Sequence, residues 1–309
     1  MHRKEARWAL VSSGRGMHLA AAAEAPAKPD EQLAAGAAEK EEKSEELGMA
    51  EVGAARTVLA DLPPGSALGG RLASAYDAGP LLAEKLALFK HGTREWAFKA
   101  TLQWLLREDA GAPKIFWLMG GGGTGKTVVS AELLRRLHEA PEERAPGEER
   151  ARSLAGRHAA HHFFRHDDAA TSAPLLLLRS LAAQLCASVP GFEAALERGA
   201  EAALAAEKIE DAFKALLEEP LAALPPRPAD APRMVIILDA LDELSAQQLG
   251  PVLDLITTWL ATLPDWLRLF VTSRDEAAIK HKLCGAGLEP EEVSRMDCGA
   301  CSCCCCCCC

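Results

Sequence analysis

The stretch Gly120-Gly-Gly-Gly-Thr-Gly-Lys-Thr127 decides the fold, because it fits the phosphate-binding pattern G-x-x-x-x-G-K-[ST]. Before it, Ile115-Phe-Trp-Leu-Met119 is an apolar run of strand length. After it, Val129, Leu133 and Leu137 recur at the spacing of a helix with one buried face. A glycine loop between a strand and a helix is the context in which this pattern binds phosphate, whereas a glycine-rich turn that binds nothing is the alternative.

Each residue type in this loop suits a triphosphate with Mg²⁺. Glycines allow positive φ, so successive N–H groups can point inward, and the N-terminus of the following helix favours an anion. We expect Lys126 to reach the β- and γ-phosphates and Thr127 to bind the metal ion through its hydroxyl. The predicted nucleotide contacts are Gly120, Gly121, Gly122, Gly123, Thr124, Gly125, Lys126, Thr127 and Val128.

A second motif, Met234-Val-Ile-Ile-Leu-Asp-Ala-Leu-Asp-Glu-Leu244, places acids just after a near-pure apolar strand. Parallel sheets covered on both faces have such strands, and open α/β sheets bind ligands at the carboxyl ends of their strands. We therefore predict that Asp239 holds Mg²⁺ opposite Thr127. Glu243, with Asp242 as the substitute, is predicted to polarise the attacking water. The alternative is that these acids cap a helix.

A fourth strand, Leu267-Arg-Leu-Phe-Val-Thr272, ends close to Arg274. We predict that Arg274 senses the γ-phosphate and spreads its charge in the transition state, the alternative being a surface salt bridge. The histidines His158, His161, His162 and His166 invite a metal hypothesis. Since neighbouring residues of a strand face opposite sides, His161 and His162 cannot line one site, and we favour structural or solvent-facing roles.

Composition limits the classes of partner. The chain has 309 residues and a net charge of −10, which argues against DNA or RNA. No run of 18 apolar residues occurs, so no membrane span is expected. The short apolar stretch near the N-terminus favours a cytoplasmic protein with a disordered tail, an organellar transit peptide being the alternative.

The chain is predicted to have three parts. Residues 1–78 are rich in Ala, Gly, Pro and charge, including the run at residues 39–46, and are expected to be largely disordered. Residues 79–285 alternate strands and helices, which predicts an α/β domain with a doubly wound, mainly parallel sheet flanked by helices, the P-loop NTPase fold. Residues 286–309 are predicted to be a disordered tail. Its cysteines, Cys298, Cys301 and 303–309, fit a low-complexity end better than a metal-thiolate or lipidated one.

Three segments together resemble the NACHT domain of the STAND class of signal-transduction NTPases, over roughly residues 82–284. They are Gly120–Thr127, Leu238-Asp-Ala-Leu-Asp-Glu243 and Val271-Thr-Ser-Arg274. The small Ala240 after the first acid, with acids returning at Asp242 and Glu243, is characteristic of that family. His91-Gly-Thr-Arg-Glu-Trp96 is loosely similar to a segment near the adenine, which implies a nucleotide contact for Arg94.

The resemblance implies binding of ATP or dATP with Mg²⁺, slow hydrolysis, and a switch coupled to protein partners or self-association. Two further segments, Leu175 to Cys186 and Pro220 to Leu224, are similar to segments of large NACHT proteins that carry WD40 or ankyrin repeats. After Arg274 only a short stretch follows, so the family's C-terminal helical and winged-helix segments are expected to be missing, and the chain resembles a partial version. A productive AAA-like ATPase and a nucleotide-binding scaffold without turnover remain alternatives. A GTPase is disfavoured because the N-K-x-D tetrapeptide is absent.

Overall fold

The computed structural model describes residues 8–12, 17–21, 67–72, 78–107, 112–139, 153–228 and 230–293. The chain divides into two units, Met1–Glu51 and Val52–Cys309. In the first unit, strands Trp8–Ser12 (β1) and Met17–Ala21 (β2) pair in an antiparallel hairpin. The charged run at 39–46 and the cysteine-rich tail lie outside the described residues.

The second unit is built on one five-stranded sheet. Its strands are Ile115–Gly120 (β3), His158–Phe163 (β4), Met234–Asp239 (β5), Leu267–Ser273 (β6) and Pro290–Val293 (β7). Their order is β4-β5-β6-β3-β7, and every pairing is parallel. The predicted α/β architecture with a doubly wound, parallel sheet is confirmed.

Helices flank this sheet. In chain order they are Ala67–Leu72 (α1), Gly79–Ala87 (α2), Glu95–Leu106 (α3), Lys126–His138 (α4), Ala169–Ser172 (α5), Pro174–Ser188 (α6), Phe192–Glu197 (α7), Ala200–Ala205 (α8), Ile209–Phe213 (α9), Glu219–Ala222 (α10), Ala246–Asp254 (α11) and Ala277–Gly285 (α12). Short π-helical turns, Lys214–Glu218 and Leu255–Trp259, follow α9 and α11. Among these described helices, none combines the length and apolar character that a membrane crossing requires.

The two faces of the sheet bury two separate cores, because successive side chains of a strand point to opposite faces. In β5, Ile236 packs into the core formed with α6, α7, α11 and α12, whereas Ile237 packs against α2, α3 and α4. Both residues are fully buried. Burial on both faces explains why the central strands have continuous apolar sequences instead of alternating ones.

The strand order brings the predicted motifs together. β6 lies between β3 and β5, with Met119 of β3 paired to Ser273 and Leu238 of β5 paired to Val271. Because all strands run in the same direction, the residues that follow β3, β5 and β6 emerge at one edge of the sheet. The glycine loop, the acids and Arg274 are therefore neighbours.

Three strands were missed by the sequence prediction: β1 and β2, which lie in the stretch expected to be largely disordered, and β7 of the five-stranded sheet. β7 pairs with β3 and lies beyond residue 285, where the domain was predicted to end. Its sequence, Pro290-Glu-Glu-Val293, is short and acidic, so it lacks the apolar run on which the other strands were identified. It is an edge strand of the sheet, a position that tolerates both proline and charge.

Candidate nucleotide site

The glycine loop connects β3 to α4 by a tight turn. Gly125, just before α4, has φ +82°, a conformation that L side chains rarely adopt. A Cβ atom at this position would also lie 2.7 Å from Nη2 of Arg94. The Thr124 hydroxyl donates to the carbonyl of Gly121 over 2.9 Å. The positive φ of the turn therefore favours glycine at position 125, and a side chain there would also displace the Arg94 guanidinium.

Lys126 folds back over the loop that it follows. Its Nζ donates to the carbonyls of Gly120 at 2.8 Å and Gly121 at 3.1 Å, and the residue is buried. Burial lowers the pKa of Lys126, and the carboxylates of Asp242 and Asp239 act in the opposite direction. Burying an ammonium group costs free energy, and neutral carbonyls do not cancel its charge. An anion bound next to Nζ would therefore stabilise the charged form of Lys126.

Asp239 is fully buried at the end of β5. Its Oδ1 accepts hydrogen bonds from Ser130 at 2.5 Å and Thr272 at 2.7 Å, whereas its buried Oδ2 has no hydrogen-bond partner among the described residues. Burial raises the pKa of Asp239, and the hydroxyls of Ser130, Thr272 and Thr127 oppose that rise. The Thr127 hydroxyl therefore lowers the pKa of the same carboxylate whose Oδ2 is buried without a hydrogen-bond partner among the described residues.

The Thr127 hydroxyl and the orphaned Oδ2 of Asp239 are oxygen ligands of the type that Mg²⁺ prefers. The described residues contain no cluster of three or more His, Cys, Asp or Glu side chains suited to a metal ion. Mg²⁺ that binds with a nucleotide needs no such cluster, because one or two carboxylates are completed by phosphate and water oxygens. The residues present therefore fit Mg²⁺ bound together with a triphosphate.

The turn after Asp239 has an unusual backbone conformation. Ala240 adopts the left-handed region with φ 65° and ψ 52°, and its N–H donates to the Thr272 hydroxyl at 2.9 Å. Among the described non-glycine residues, positive φ occurs at Ala240 and Arg94, and both lie beside this site. Such backbone conformations cost energy and concentrate where surrounding structure enforces them.

Asp242 and Arg274 form a tight pair. The Asp242 carboxylate accepts from the backbone N–H of Arg274 at 2.9 Å and lies 2.8 Å from its Nε. The Asp242 side chain is 4% exposed, so this charge is both compensated and withdrawn from solvent. The arrangement keeps the Arg274 guanidinium beside the glycine loop, where its Nη1 would lie 3.8 Å from a Cβ added to Gly122.

Glu243 makes different contacts from Asp242. Its Oε2 lies 2.5 Å from Nδ1 of His166, and its Oε1 lies 3.7 Å from Nη2 of Arg274. The Glu243 side chain is 26% exposed. Of the two candidate bases, Glu243 is the one whose carboxylate remains accessible to water.

These groups surround one cavity of about 270 Å³. Its lining residues are Lys85, Leu88, Gly122, Gly123, Gly125, Lys126, Thr127, Val128, Ala240, Asp242, Glu243 and Arg274. Lys85 and Leu88 were not predicted from the sequence. Lys85 lies in the last turn of α2, and Leu88 follows that helix directly. The feature of the structure that marks Leu88 is its exposure of 58%, which is unusual for a large apolar side chain.

Arg94 contacts the loop itself. It precedes α3, and its Nη2 donates to the carbonyl of Thr124 at 3.0 Å. It does not line the cavity, so in this arrangement its contact with a nucleotide would run through the loop backbone. The adenine-side role implied by the resemblance remains a prediction.

The four histidines separate into different environments. The β4 register shifts between His158 and Ala160, and this irregularity brings His158 and His161 into contact, with Nε2 and Nδ1 3.1 Å apart. His162 instead contacts the carbonyl of Thr171. Burial lowers the pKa of His161 to about 3 and of His162 to about 4. These buried imidazoles are neutral, whereas His166 is exposed and contacts Glu243.

Residues 92–274 match the family model described as Nephrocystin 3, N-terminal. The match covers more than half of the chain and includes every site residue predicted from the sequence. Lys85 and Leu88 lie before the matched segment. No curated protein matches the chain.

Proposed function

The chain belongs to the nephrocystin 3 N-terminal family, and from that premise and the geometry of its site we propose that it is a Mg²⁺-ATP-binding NTPase domain that hydrolyses ATP slowly. ATP or dATP is the nucleotide, and its binding sets the conformation of the domain. The loop pattern, the acids after β5 and Arg274 after β6 support this proposal together, because each lies at the same edge of the sheet.

The observation that carries the proposal is the unpartnered Oδ2 of Asp239, buried beside Thr127. Leaving a buried carboxylate oxygen without a partner costs on the order of 1–3 kcal/mol or more. A cation beside it removes that cost. Asp239 and Thr127 would hold Mg²⁺, which when bound neutralises charge on the phosphate chain.

The remaining residues have distinct proposed roles. The backbone N–H groups of the loop and the N-terminus of α4 favour the phosphate chain, and Lys126 exchanges its loop carbonyls for phosphate oxygens. Glu243 accepts the proton of the attacking water. Arg274 stabilises charge on the γ-phosphate, and Asp242 holds Arg274 in place.

We further propose that this domain resembles NACHT domains in using the nucleotide as a switch for protein partners or self-association. The small residue at Ala240 with acids at Asp242 and Glu243 supports this finer assignment. A cytoplasmic location is part of the same proposal. A productive ATPase and a nucleotide-binding scaffold without turnover are the competing functions, and the rate of hydrolysis separates all three.

Calorimetric titration of the full chain with ATP and GTP, each with Mg²⁺ and with EDTA, tests the proposal. We expect ATP to bind more tightly with Mg²⁺ and GTP to compete poorly, because the guanine-reading tetrapeptide is absent. A ligand that binds the folded state must also raise the melting temperature. No heat and no thermal shift with Mg²⁺-ATP would contradict nucleotide binding, and equal competition by GTP would contradict the adenine assignment.

A further inference from the structure

His166 is an exposed residue with an unexpectedly specific contact. It lies on the loop between β4 and α5, its side chain is 78% exposed, and its Nδ1 is 2.5 Å from Oε2 of Glu243. Because an ionised carboxylate can only accept hydrogen bonds, the imidazole is the donor. An exposed contact of this kind adds little to stability, so its main effect is on the position of the Glu243 carboxylate.

His166 is the close partner of Glu243 among the described residues. Arg274 also lies near Glu243, but its Nη2 is 3.7 Å from Oε1, beyond hydrogen-bond distance. Arg274 is already engaged with Asp242 through two contacts of 2.8 and 2.9 Å. The hydrogen bond from His166 is consequently the contact that fixes the rotamer of Glu243.

The backbone that carries His166 is itself fixed. The N–H of Phe164 donates to the carbonyl of Asp239 at 3.0 Å, which ties the start of the loop to the end of β5. The N–H of Arg165 donates to the Thr171 hydroxyl at 3.0 Å, and the N–H of Asp168 to the carbonyl of Arg165 at 3.3 Å. His166 is therefore presented from a hydrogen-bonded turn anchored next to the proposed metal ligand.

We propose that His166 is a positioning residue for Glu243, an inference that rests on the proposed function. Glutamate has several rotatable bonds, and ordering it costs conformational entropy. The N–H of His166 holds one carboxylate oxygen in the rotamer that lines the cavity, so that the other oxygen is available to accept a proton from water. Glu243 is then the general base, and His166 is the neighbouring group that orients it.

The test measures ATP turnover and Mg²⁺-ATP affinity on the full chain. His166→Ala is expected to lower kcat about tenfold, a part of the 10²–10⁴-fold that general-base catalysis contributes. The dissociation constant is expected to change less than about twofold, because His166 does not line the cavity. His166→Gln, which keeps an N–H donor, should restore most of kcat. His281→Ala, at an exposed position of α12, is the matched control.

A double variant separates positioning from a general structural role. In a Glu243→Gln background, His166→Ala should have no further effect on the remaining rate, because the two residues act as one unit. Unchanged or raised kcat in His166→Ala, in a parent that hydrolyses ATP, would overturn the inference and leave the proposed function standing. A parent that binds Mg²⁺-ATP without any turnover would overturn both the inference and the hydrolytic part of the proposed function.

Discussion

The hydroxyl of Ser130 donates a 2.5 Å hydrogen bond to Oδ1 of Asp239, joining residues 109 positions apart in the sequence. Ser130 lies in α4, directly after the glycine loop, and Asp239 ends β5. Together with Thr272, Ser130 occupies Oδ1 and leaves Oδ2 buried and unpartnered among the described residues. The carboxylate is thus oriented by the protein's own hydroxyls beside Thr127.

Removing this hydroxyl should weaken the effect of Mg²⁺ on nucleotide affinity. A net hydrogen bond is worth about 1 kcal/mol, so Ser130→Ala is expected to reduce the Mg²⁺ enhancement of ATP affinity about fivefold. Affinity in EDTA should stay the same, because Ser130 does not line the cavity. Calorimetric titration with and without Mg²⁺ measures both quantities.

Ser188→Ala is the control for that experiment, since Ser188 also donates from a helix to a strand, to the carbonyl of Ala159 at 2.6 Å. It should leave the Mg²⁺ enhancement unchanged. An intact enhancement in Ser130→Ala would show that Asp239 does not depend on this hydroxyl for its orientation.

Lys126→Ala should abolish measurable Mg²⁺-ATP binding. The buried ammonium is the main compensating charge for the phosphates, and its removal is expected to cost at least about 100-fold in affinity, or about 2.7 kcal/mol. Titration calorimetry checks the loss, with the exposed Lys208→Ala as the control. Parent-like affinity of Lys126→Ala would remove the phosphate role of this lysine.

Glu243→Gln should retain Mg²⁺-ATP binding and lose hydrolysis by about 100-fold or more, because the amide cannot accept the proton of water. Asp242→Asn should instead weaken the ion pair that keeps the Arg274 guanidinium in position. Steady-state phosphate release measures turnover, and calorimetry measures binding. If Glu243→Gln hydrolyses ATP normally while Asp242→Asn does not, the two roles are reversed.

Acid should destabilise the folded domain through its buried histidines. Burial lowers the pKa of His161 to about 3 and of His162 to about 4, whereas an unfolded histidine titrates near 6.5. As the pH falls from about 6.5 towards 4, the unfolded state binds protons that the folded state rejects, so the free energy of unfolding decreases. Each histidine lowers the free energy of unfolding by up to about 1.4 kcal/mol per pH unit. Urea unfolding at about pH 7 and at about pH 5 measures the difference.

A variant isolates this contribution from other titrating groups. Asp239 acts in the opposite direction, because its raised pKa means that the folded state takes up a proton more readily than the unfolded one. His161→Leu should reduce the pH slope by about one proton, and His281→Leu, at an exposed position, should not. Equal slopes for His161→Leu and the parent would contradict a neutral, buried His161.

The sheet and the positions of the candidate site residues within it were predictable because their signals are local. Lys126 follows a loop of fixed pattern, and Asp239 follows a strand whose apolar run reflects burial on both faces. The parallel direction of the strands then requires that the residues after β3, β5 and β6 meet at one edge. The strand order, which makes β6 the neighbour of both β3 and β5, is long-range information and was not predicted.

Other contacts were not predictable because nothing local marks them. Ser130 and Thr272 are hydroxyl residues of ordinary type, and their role depends on packing against Asp239. His166 lies in an exposed loop, and the sequence gives no sign that it reaches Glu243. Lys85 in α2 and Leu88 directly after it lie upstream of every recognisable motif. β7 lacks the apolar pattern by which strands are found.

The most direct test is a crystal structure of the full chain with Mn²⁺ and a non-hydrolysable ATP analogue, in which anomalous scattering locates the metal. The account predicts a single metal peak between the Thr127 hydroxyl and Oδ2 of Asp239, bound directly or through one water, with the phosphate chain along Gly120–Thr127. A metal peak away from both residues, or a nucleotide bound elsewhere on the chain, would contradict it.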